Sequence, residues 1–237
     1  MLGLSNKLGI SKASYSSKQV TFHNEFSLSF DGTDDYVQLA LPFSYVSHSV
    51  AAWVNATDAT GNRTIFDGRD GNNDGIFIYA PTNDKINYKI SSGATLVQGG
   101  TKTTGSWQHI VCTYDGSTQK MYINGSLSSS QSVSAGVSTT TAGRIGGKAF
   151  ASGGFWQGLI DEVALWSDDL SAAEVTAVYN SGTDFTLNNN FDDYVSSADL
   201  KGYWNFNEGQ GTTTIDTAGG NLNNGTINGA TWSTSTH

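Results

Sequence analysis

The chain has 237 residues, of which 12 are Lys or Arg and 21 are Asp or Glu, and its formal net charge is −9. This acidic balance argues against a nucleic-acid partner, because phosphate recognition needs clustered Lys and Arg. No run of about 18 apolar residues is present, so membrane insertion through a helix is excluded. The length suits one β-sandwich domain.

Residues 1–24 differ from the rest of the chain, because they carry Lys7, Lys12 and Lys18 and no acidic residue. They show no clean apolar period and no continuous apolar stretch, so we expect neither a core element nor a secretory signal here. We predict an N-terminal arm over 1–24 that docks on a partner. The single cysteine, Cys112, allows no intrachain disulfide.

The first predicted strands lie over residues 26–39, where Phe26, Leu28 and Phe30 alternate with polar residues. Further strands are predicted at 49–55, 63–66, 75–79 and 85–90, each bounded by Gly, Asn or Asp.

A hairpin is predicted over residues 106–125. Its first half is rich in aromatic and β-branched residues, and Asp115-Gly116 supplies turn chemistry. Asn124-Gly125 is the strongest short hairpin signal in the chain. A hairpin cannot bury a face alone, so a second sheet must cover it.

One helix is predicted, near 171–180. Ser171 and Glu174 have capping-box spacing, and Gly182 is placed to end the helix.

Several stretches resemble motifs of laminin G-like domains, which belong to the concanavalin A-like jelly-roll superfamily. These are the F-D-G-T-D-D-Y-V of 30–37, the hairpin of 106–125, the R-I-G-G of 144–147, the G-L-I-D-E-V of 158–163 and the L-S-A-A-E-V of 170–175. The resemblance implies an all-β fold with two antiparallel sheets in a jelly-roll arrangement.

The tail at 201–237 departs from that family, because it resembles a segment that usually precedes the first strand. We predict that it folds back beside residues 26–30 and completes a single domain over 25–237, since about thirty residues with two tryptophans cannot bury themselves alone.

Catalysis is not expected. Glycoside hydrolysis normally needs two carboxylates that flank the scissile bond. The chain has only four glutamates, which leaves few candidates for such a pair. Alternation along a strand predicts that Asp161 and Glu162 lie on opposite faces. The spacing of His109 and Cys112 likewise predicts opposite faces, which argues against nucleophilic catalysis.

Calcium is the metal that the sequence favours, because Ca²⁺ takes six to eight oxygen ligands. The resemblance implies a site at Asp161, Glu208, Gly211 and Asp216. A second candidate is the D-x-N-x-D-G loop of Asp70, Asn72 and Asp74, although an ordinary hairpin turn would use the same residues.

Sugar binding would use aromatic rings exposed at a sheet face or a loop rim. The candidates are Tyr79, Tyr88, Phe155 and Trp156. Each of them could equally belong to the core.

The leading interpretation is a non-catalytic recognition or structural module with a capacity to bind glycans. The leader-less start, the Lys-bearing arm and the lone domain resemble tailed-phage virion proteins, so we expect a head decoration, fibre or tail part whose residues 1–24 contact other virion proteins. The alternatives are a bacterial surface or secreted carbohydrate-binding protein and, third, a glycoside hydrolase.

Overall fold

A computed structural model describes residues 23–40, 44, 46–58, 60–91, 96–133, 142–180, 186–219 and 223–237. In these ranges two antiparallel sheets face each other, with one α-helix and one 3-10 turn, which confirms the predicted all-β sandwich. Of the predicted arm, residues 1–22 lie outside the described ranges and residues 23 and 24 lie within them. Asn24 belongs to the body, because its Nδ2 donates a hydrogen bond to Asp161 Oδ2 at 2.8 Å.

The strands follow one another in this order: β1 (Ser27–Asp31), β2 (Tyr36–Leu39), β3 (His48–Ala56), β4 (Arg63–Arg69), β5 (Gly75–Ala80), β6 (Lys85–Lys89), β7 (Val97–Thr101), β8 (Gln108–Tyr114), β9 (Thr118–Ile123), β10 (Ser126–Ser132), β11 (Gly143–Ile145), β12 (Gln157–Trp166), β13 (Leu200–Trp204), β14 (Thr213–Thr214), β15 (Gly225–Asn228) and β16 (Thr231–Ser233). Helix α1 spans Ala172–Tyr179, and the 3-10 turn spans Ser197–Asp199.

Sheet A has the order β10-β9-β8-β3-β12-β1-β16, and β13 also pairs with β12. Sheet B has the order β14-β15-β2-β11-β4-β5-β6-β7. The predicted hairpin supplies β8 and β9 of sheet A. Asn124 and Gly125, with φ of 49° and 74°, then turn the chain into β10, as their sequence predicts.

The main core lies between the two sheets, where alternate residues of facing strands bury their side chains. Leu28 of β1, Val37 of β2, Ile78 of β5, Ile110 of β8 and Ile160 of β12 all lie in it. Burial of this kind is the main favourable term in folding.

A second apolar cluster covers the outer face of sheet A. It joins Val111 and Trp166 of the sheet to Val175 of α1, and Tyr194 and Leu200 of the following segment complete it. Sheet A is therefore buried on both faces over this region.

The predicted capping box is present at α1. Ser171 is the N-cap and its side chain accepts a hydrogen bond from Glu174 N, while the Glu174 side chain accepts from Ser171 N. The helix ends at Asn180, which has φ of 38°. Gly182, the predicted cap, lies outside the described residues. Within the described ranges no helix is long and apolar enough to cross a membrane.

The closing part of the chain adds strands to both sheets. β13 pairs with β12, β15 pairs with β2, and β16 pairs with β1, with Leu28 opposite Trp232. Asn207 Oδ1 accepts hydrogen bonds from the backbone N–H groups of Glu25 and Phe26. The segments on either side of the family motifs therefore meet at one edge of sheet A.

A β-bulge in β12 corrects the prediction for Asp161 and Glu162. Ile160 and Val163 both point into the main core, so two residues rather than one lie between consecutive inward positions. Glu162 takes a left-handed φ of 50°. Both carboxylates lie on the outer face of sheet A, where Asp161 binds Asn24 and Glu162 accepts a hydrogen bond from the Tyr203 hydroxyl. The prediction of opposite faces was wrong, because alternation fails at a bulge.

Candidate functional site

The outer face of sheet B carries a row of polar and aromatic side chains that crosses the sheet. Its members are residues directly opposite one another on successive strands, so they share one face. From the β14 edge to β6 the row consists of Thr213, Thr226, Gln38, Arg144, Asp67, Phe77 and Lys89. Beside it runs a second, shorter row of Tyr79, Asn87 and Gln98. The intervening residues point into the main core.

Arg144 is held in one position at the middle of this face. Its Nε donates to Gln38 Oε1 at 2.9 Å, and its Nη1 donates to the Lys148 carbonyl at 2.8 Å. Its guanidinium carbon lies 3.9 Å from the centre of the Tyr36 ring, a cation–π distance. A guanidinium fixed by three neighbours loses little freedom when it meets a ligand oxygen.

A second arginine is held in the same manner. Arg69 Nη2 and Asp67 Oδ2 form an ion pair at 2.6 Å, and the Arg69 guanidinium carbon lies 3.6 Å from the centre of the Phe77 ring. Asp67 is fully buried and also accepts a hydrogen bond from Ala149 N. Its charge is therefore compensated by the protein, as a buried carboxylate requires.

Two stacked aromatic pairs flank the arginines. The rings of Phe77 and Tyr79 have centroids 4.3 Å apart at an interplanar angle of 14°, and those of Tyr36 and Phe155 are 6.5 Å apart at 28°. Tyr79, Tyr36 and Phe155 are each partly exposed. Partly exposed rings among fixed polar groups form the type of surface on which the apolar face of a sugar can stack.

A family model described as the concanavalin A-like lectin/glucanases superfamily, Laminin_G_3, matches residues 31–176. The chain belongs to this superfamily. The match covers more than half of the sequence and includes every strand from β2 to β12, together with the start of α1. The search of curated proteins finds no match.

Two solved structures have a similar fold. A Bacteroides ovatus protein, described provisionally as a carbohydrate-binding protein, has a TM-score of 0.68 at 19% identity over 91% of this chain and 60% of its own. The heptameric SAP-like pentraxin of Limulus polyphemus has a TM-score of 0.55 at 15% identity over 76% of this chain and 91% of its own. The chain thus spans 60% of the length of the first of these proteins, and identities this low bear on the fold alone.

In this superfamily member the four aromatic residues predicted to bind sugar divide into two pairs. Tyr79 and Phe155 lie on the outer face of sheet B. Tyr88 and Trp156 are fully buried in the core, where the Tyr88 hydroxyl lies 2.7 Å from His48 Nε2 and Trp156 Nε1 donates to the Leu159 carbonyl. Neither of these buried rings can stack on a ligand, which removes both from the candidate site.

Sequence reasoning missed Tyr36, Gln38 and Arg144. The signal was present, because the Y-V-Q-L of β2 alternates and sends Tyr36 and Gln38 to the face opposite Val37. Arg144, in the R-I-G-G motif, alternates in the same way with the buried Ile145.

The residues of the calcium site that the resemblance implied are engaged by other protein groups. Asp161 accepts from Asn24, Glu208 Oε1 accepts from Ile215 N at 2.6 Å, and Asp216 accepts from the N–H groups of Tyr203, Ala218 and Asn223. The carbonyl of Gly211 accepts from Trp232 Nε1. Within the described residues these acids do not form a group of three with ligand atoms inside 4.8 Å of one another. An ion at this place stays a prediction.

The second calcium candidate is a hairpin turn between β4 and β5. Asp70 Oδ1 accepts hydrogen bonds from the N–H groups of Asn72 and Asp74, each at 2.9 Å. This is the local side-chain-to-backbone pattern of a turn. Calcium binding by Asp70, Asn72 and Asp74 also stays a prediction.

The acidic group that the described residues do bring together is Asp31, Asp34 and Asp35, whose carboxylate oxygens lie within 4.8 Å of one another. Burial is the main cause that raises the pKa of Asp35, and the charges of Asp31 and Asp34 raise it further. The three belong to the F-D-G-T-D-D-Y-V motif, which sequence reasoning used for the fold and not for a metal.

Proposed function

We propose that this chain is a non-catalytic module that binds carbohydrate on the outer face of sheet B. The observation that carries the proposal is the register of sheet B. It places Gln38, Arg144 and Gln98 on one face with the partly exposed rings of Tyr36 and Tyr79. Fixed polar groups beside aromatic rings meet the needs of a sugar, which offers hydroxyl groups at its rim and C–H groups on its flat face.

Two further points support recognition rather than hydrolysis at this face. The acid in the row, Asp67, is fully buried and paired with Arg69, so it is not placed to act on a glycosidic bond. A second carboxylate would be needed beside it, and the described residues of both rows supply none. The carbohydrate-binding description of the Bacteroides ovatus structure agrees with this proposal at the level of the module.

The test is a glycan array followed by calorimetric titration of the best ligand. Tyr79→Ala and Arg144→Ala should each weaken binding by about tenfold or more, as the loss of about 1.4 kcal/mol or more would do. The matched control is Leu127→Ala, an exposed residue on β10 of sheet A. Binding that survives both substitutions would move the site elsewhere, and release of reducing sugar from the bound glycan would overturn the non-catalytic assignment.

Calcium is a second candidate ligand, at Asp31, Asp34 and Asp35. Three carboxylates held this close repel one another, and a divalent cation would relieve the repulsion while using oxygen ligands that it prefers. Its test is described in the Discussion.

We also propose the setting in which the module works, as a part of a phage virion held through residues 1–22. The support is the resemblance noted above and the lysines of that segment. The alternative is a carbohydrate-binding protein of a bacterial surface. The deletion of residues 1–22 described in the Discussion tests whether virion proteins are the partners.

A further inference from the structure

A separate cluster of aromatic and polar groups lies on the outer face of sheet A, around the bulge in β12. The His237 ring stacks on the Trp53 indole, with centroids 4.3 Å apart and planes 15° apart. Tyr179 stacks on Trp53 at 5.5 Å, and Trp107 meets the His237 ring edge-on at 6.2 Å. His109 lies 4.9 Å from Trp53. The imidazole of His237 therefore contacts two indole rings of this cluster.

The polar contacts of His237 are incomplete. Its Nδ1 lies 3.0 Å from Asn24 Nδ2 and 3.4 Å from Asp161 Oδ2. One ring nitrogen cannot accept a hydrogen bond from Asn24 and donate one to Asp161 at the same time. Whichever tautomer is present, one of these two contacts is therefore not a hydrogen bond.

Two further polar atoms are left over in the same cluster. Within the described part of the chain, His109 Nδ1 and Asn24 Oδ1 are buried and have no hydrogen-bond partner. The His109 ring is almost entirely buried, and this burial lowers the pKa of His109 to about 3, with the nearby His237 as a smaller cause. A buried polar atom without a partner destabilises the folded state, and His237 leaves these two atoms unpaired.

A metal ion does not explain the cluster. The described atoms of His109, His237 and Asp161 do not form a group within 4.8 Å of one another. The aromatic and polar groups of the cluster are instead complementary to a molecule with one flat apolar face and several hydroxyl groups. A hydroxyl can donate to Asp161 or Asn24 Oδ1, another can bond His109 Nδ1 in either sense, and the C–H face can lie on Trp53.

We propose that Trp53, Asp161, Asn24 and His109 form a second carbohydrate-binding site for a single sugar residue, and that His237 closes this site as an internal competitor. The sugar takes the place of the His237 imidazole on Trp53 and supplies the hydrogen bonds that the imidazole leaves unmade. Its apparent affinity in the native protein is reduced by the fraction of molecules in which His237 is in place. The site is on the opposite sheet from the face described above, so either can exist without the other.

The experiment uses the full chain and follows the indole ¹⁵N–¹H signal of Trp53, assigned with Trp53→Phe. His237→Ala, the native protein and Thr234→Ala are titrated with methyl β-glucoside, methyl β-galactoside and methyl α-mannoside. Thr234 is exposed and belongs to the same segment, so its substitution is the matched control. We expect at least one glycoside to bind His237→Ala about tenfold or more tightly than the other two proteins. The same glycoside should shift the Trp53 signal of the native protein to the same end point at higher concentration.

Asp161→Asn in the His237→Ala background should reduce this binding about tenfold, since a neutral amide accepts more weakly than a carboxylate. Imidazole should compete with the glycoside in His237→Ala. Equal affinity in His237→Ala and Thr234→Ala would overturn the competition by His237. If His237→Ala binds imidazole but none of the glycosides, the substitution has only opened a cavity, and the proposed sugar site is wrong. If the His237→Ala protein does not fold, the native titration decides, and an unmoved Trp53 signal overturns the proposal. Neither result depends on Tyr79 or Arg144, which test the other face.

Discussion

The imidazole of His109 lies against the indole of Trp53, with ring centroids 4.9 Å apart, and both side chains are buried on the outer face of sheet A. Protonation of a histidine in this position opposes folding, because burial disfavours the charged ring. Burial lowers the pKa of His109 to about 3, whereas the unfolded chain protonates it near pH 6.5.

The first prediction concerns this histidine and pH. Between about pH 6.5 and pH 3 the unfolded state binds a proton that the folded state does not, so the native protein loses stability as the pH falls. The loss is at most about 1.4 kcal/mol per pH unit from this group. His109→Phe removes that dependence, so its free energy of unfolding should fall less steeply with decreasing pH. Urea unfolding of both proteins at several pH values measures the difference.

Other titrating groups face the same cluster and act differently. Burial raises the pKa of Asp161, against the opposing effects of His237 and Asn24, so Asp161 favours folding more as the pH falls. Glu162, Tyr203 and His237 also adjoin the cluster. These groups are present in both proteins, so the comparison reports the effect of His109 together with its interaction with His237. Parallel pH curves for native protein and His109→Phe would contradict the prediction.

The second prediction concerns Glu174, which joins α1 to the segment after it. Its carboxylate accepts from Ser171 N, from Val195 N and from the Ser196 hydroxyl. Glu174→Ala should lower the free energy of unfolding by about 2–3 kcal/mol, since several donors lose their acceptor. Ser171→Ala removes the cap alone and should cost about 1 kcal/mol. Equal losses in urea unfolding would show that the contacts to 195–196 add nothing.

The third prediction is that calcium stabilises the protein through Asp31, Asp34 and Asp35. A ligand that binds only the folded state at a hundred times its dissociation constant adds about 2.7 kcal/mol. Calcium should therefore raise the melting temperature, and EDTA should reverse the change. Asp34→Asn should abolish the effect, whereas Asp161→Asn and Asp70→Asn should keep it. If the calcium-dependent rise in melting temperature is lost in Asp161→Asn instead, the ion binds at the site implied by the family resemblance.

The fourth prediction concerns residues 1–22. Removing them should leave the melting temperature of the sandwich unchanged within about 2 °C, no more than the shift expected for a loss of 1 kcal/mol in a domain of this size. The truncated protein should no longer be incorporated into virions, as measured by its content in purified particles. The deletion stops before Asn24 because Asn24 contacts Asp161. Normal incorporation of the truncated protein would place any anchor in the sandwich itself.

Much of the fold could be read from local patterns. Alternation at Leu28 and Phe30, the turn at Asn124-Gly125 and the capping box at Ser171 and Glu174 each depend on neighbours in the sequence. These features are local, so their physical basis is visible without knowledge of the rest of the chain.

The sites were harder to predict, because they depend on register and on irregularity. The K-I-N-Y-K of β6 alternates, and it could have assigned Tyr88 to the core with Ile86. In β5 the run G-I-F-I-Y-A is apolar at every position after the glycine, so only the structure shows that Tyr79 faces outward. The bulge that brings Asp161 and Glu162 to one face leaves no signal in either residue type.

The pairing of β1 has a consequence for the time at which the protein can fold. β1 lies between β12 and β16, whose paired residues are 157–160 and 231–233. A ribosome must therefore release almost the whole described chain before this strand has both of its neighbours. Contacts between residues so distant in sequence form slowly, and an unpaired strand edge invites aggregation meanwhile. We expect the nascent chain to need protection during synthesis until the last strand emerges.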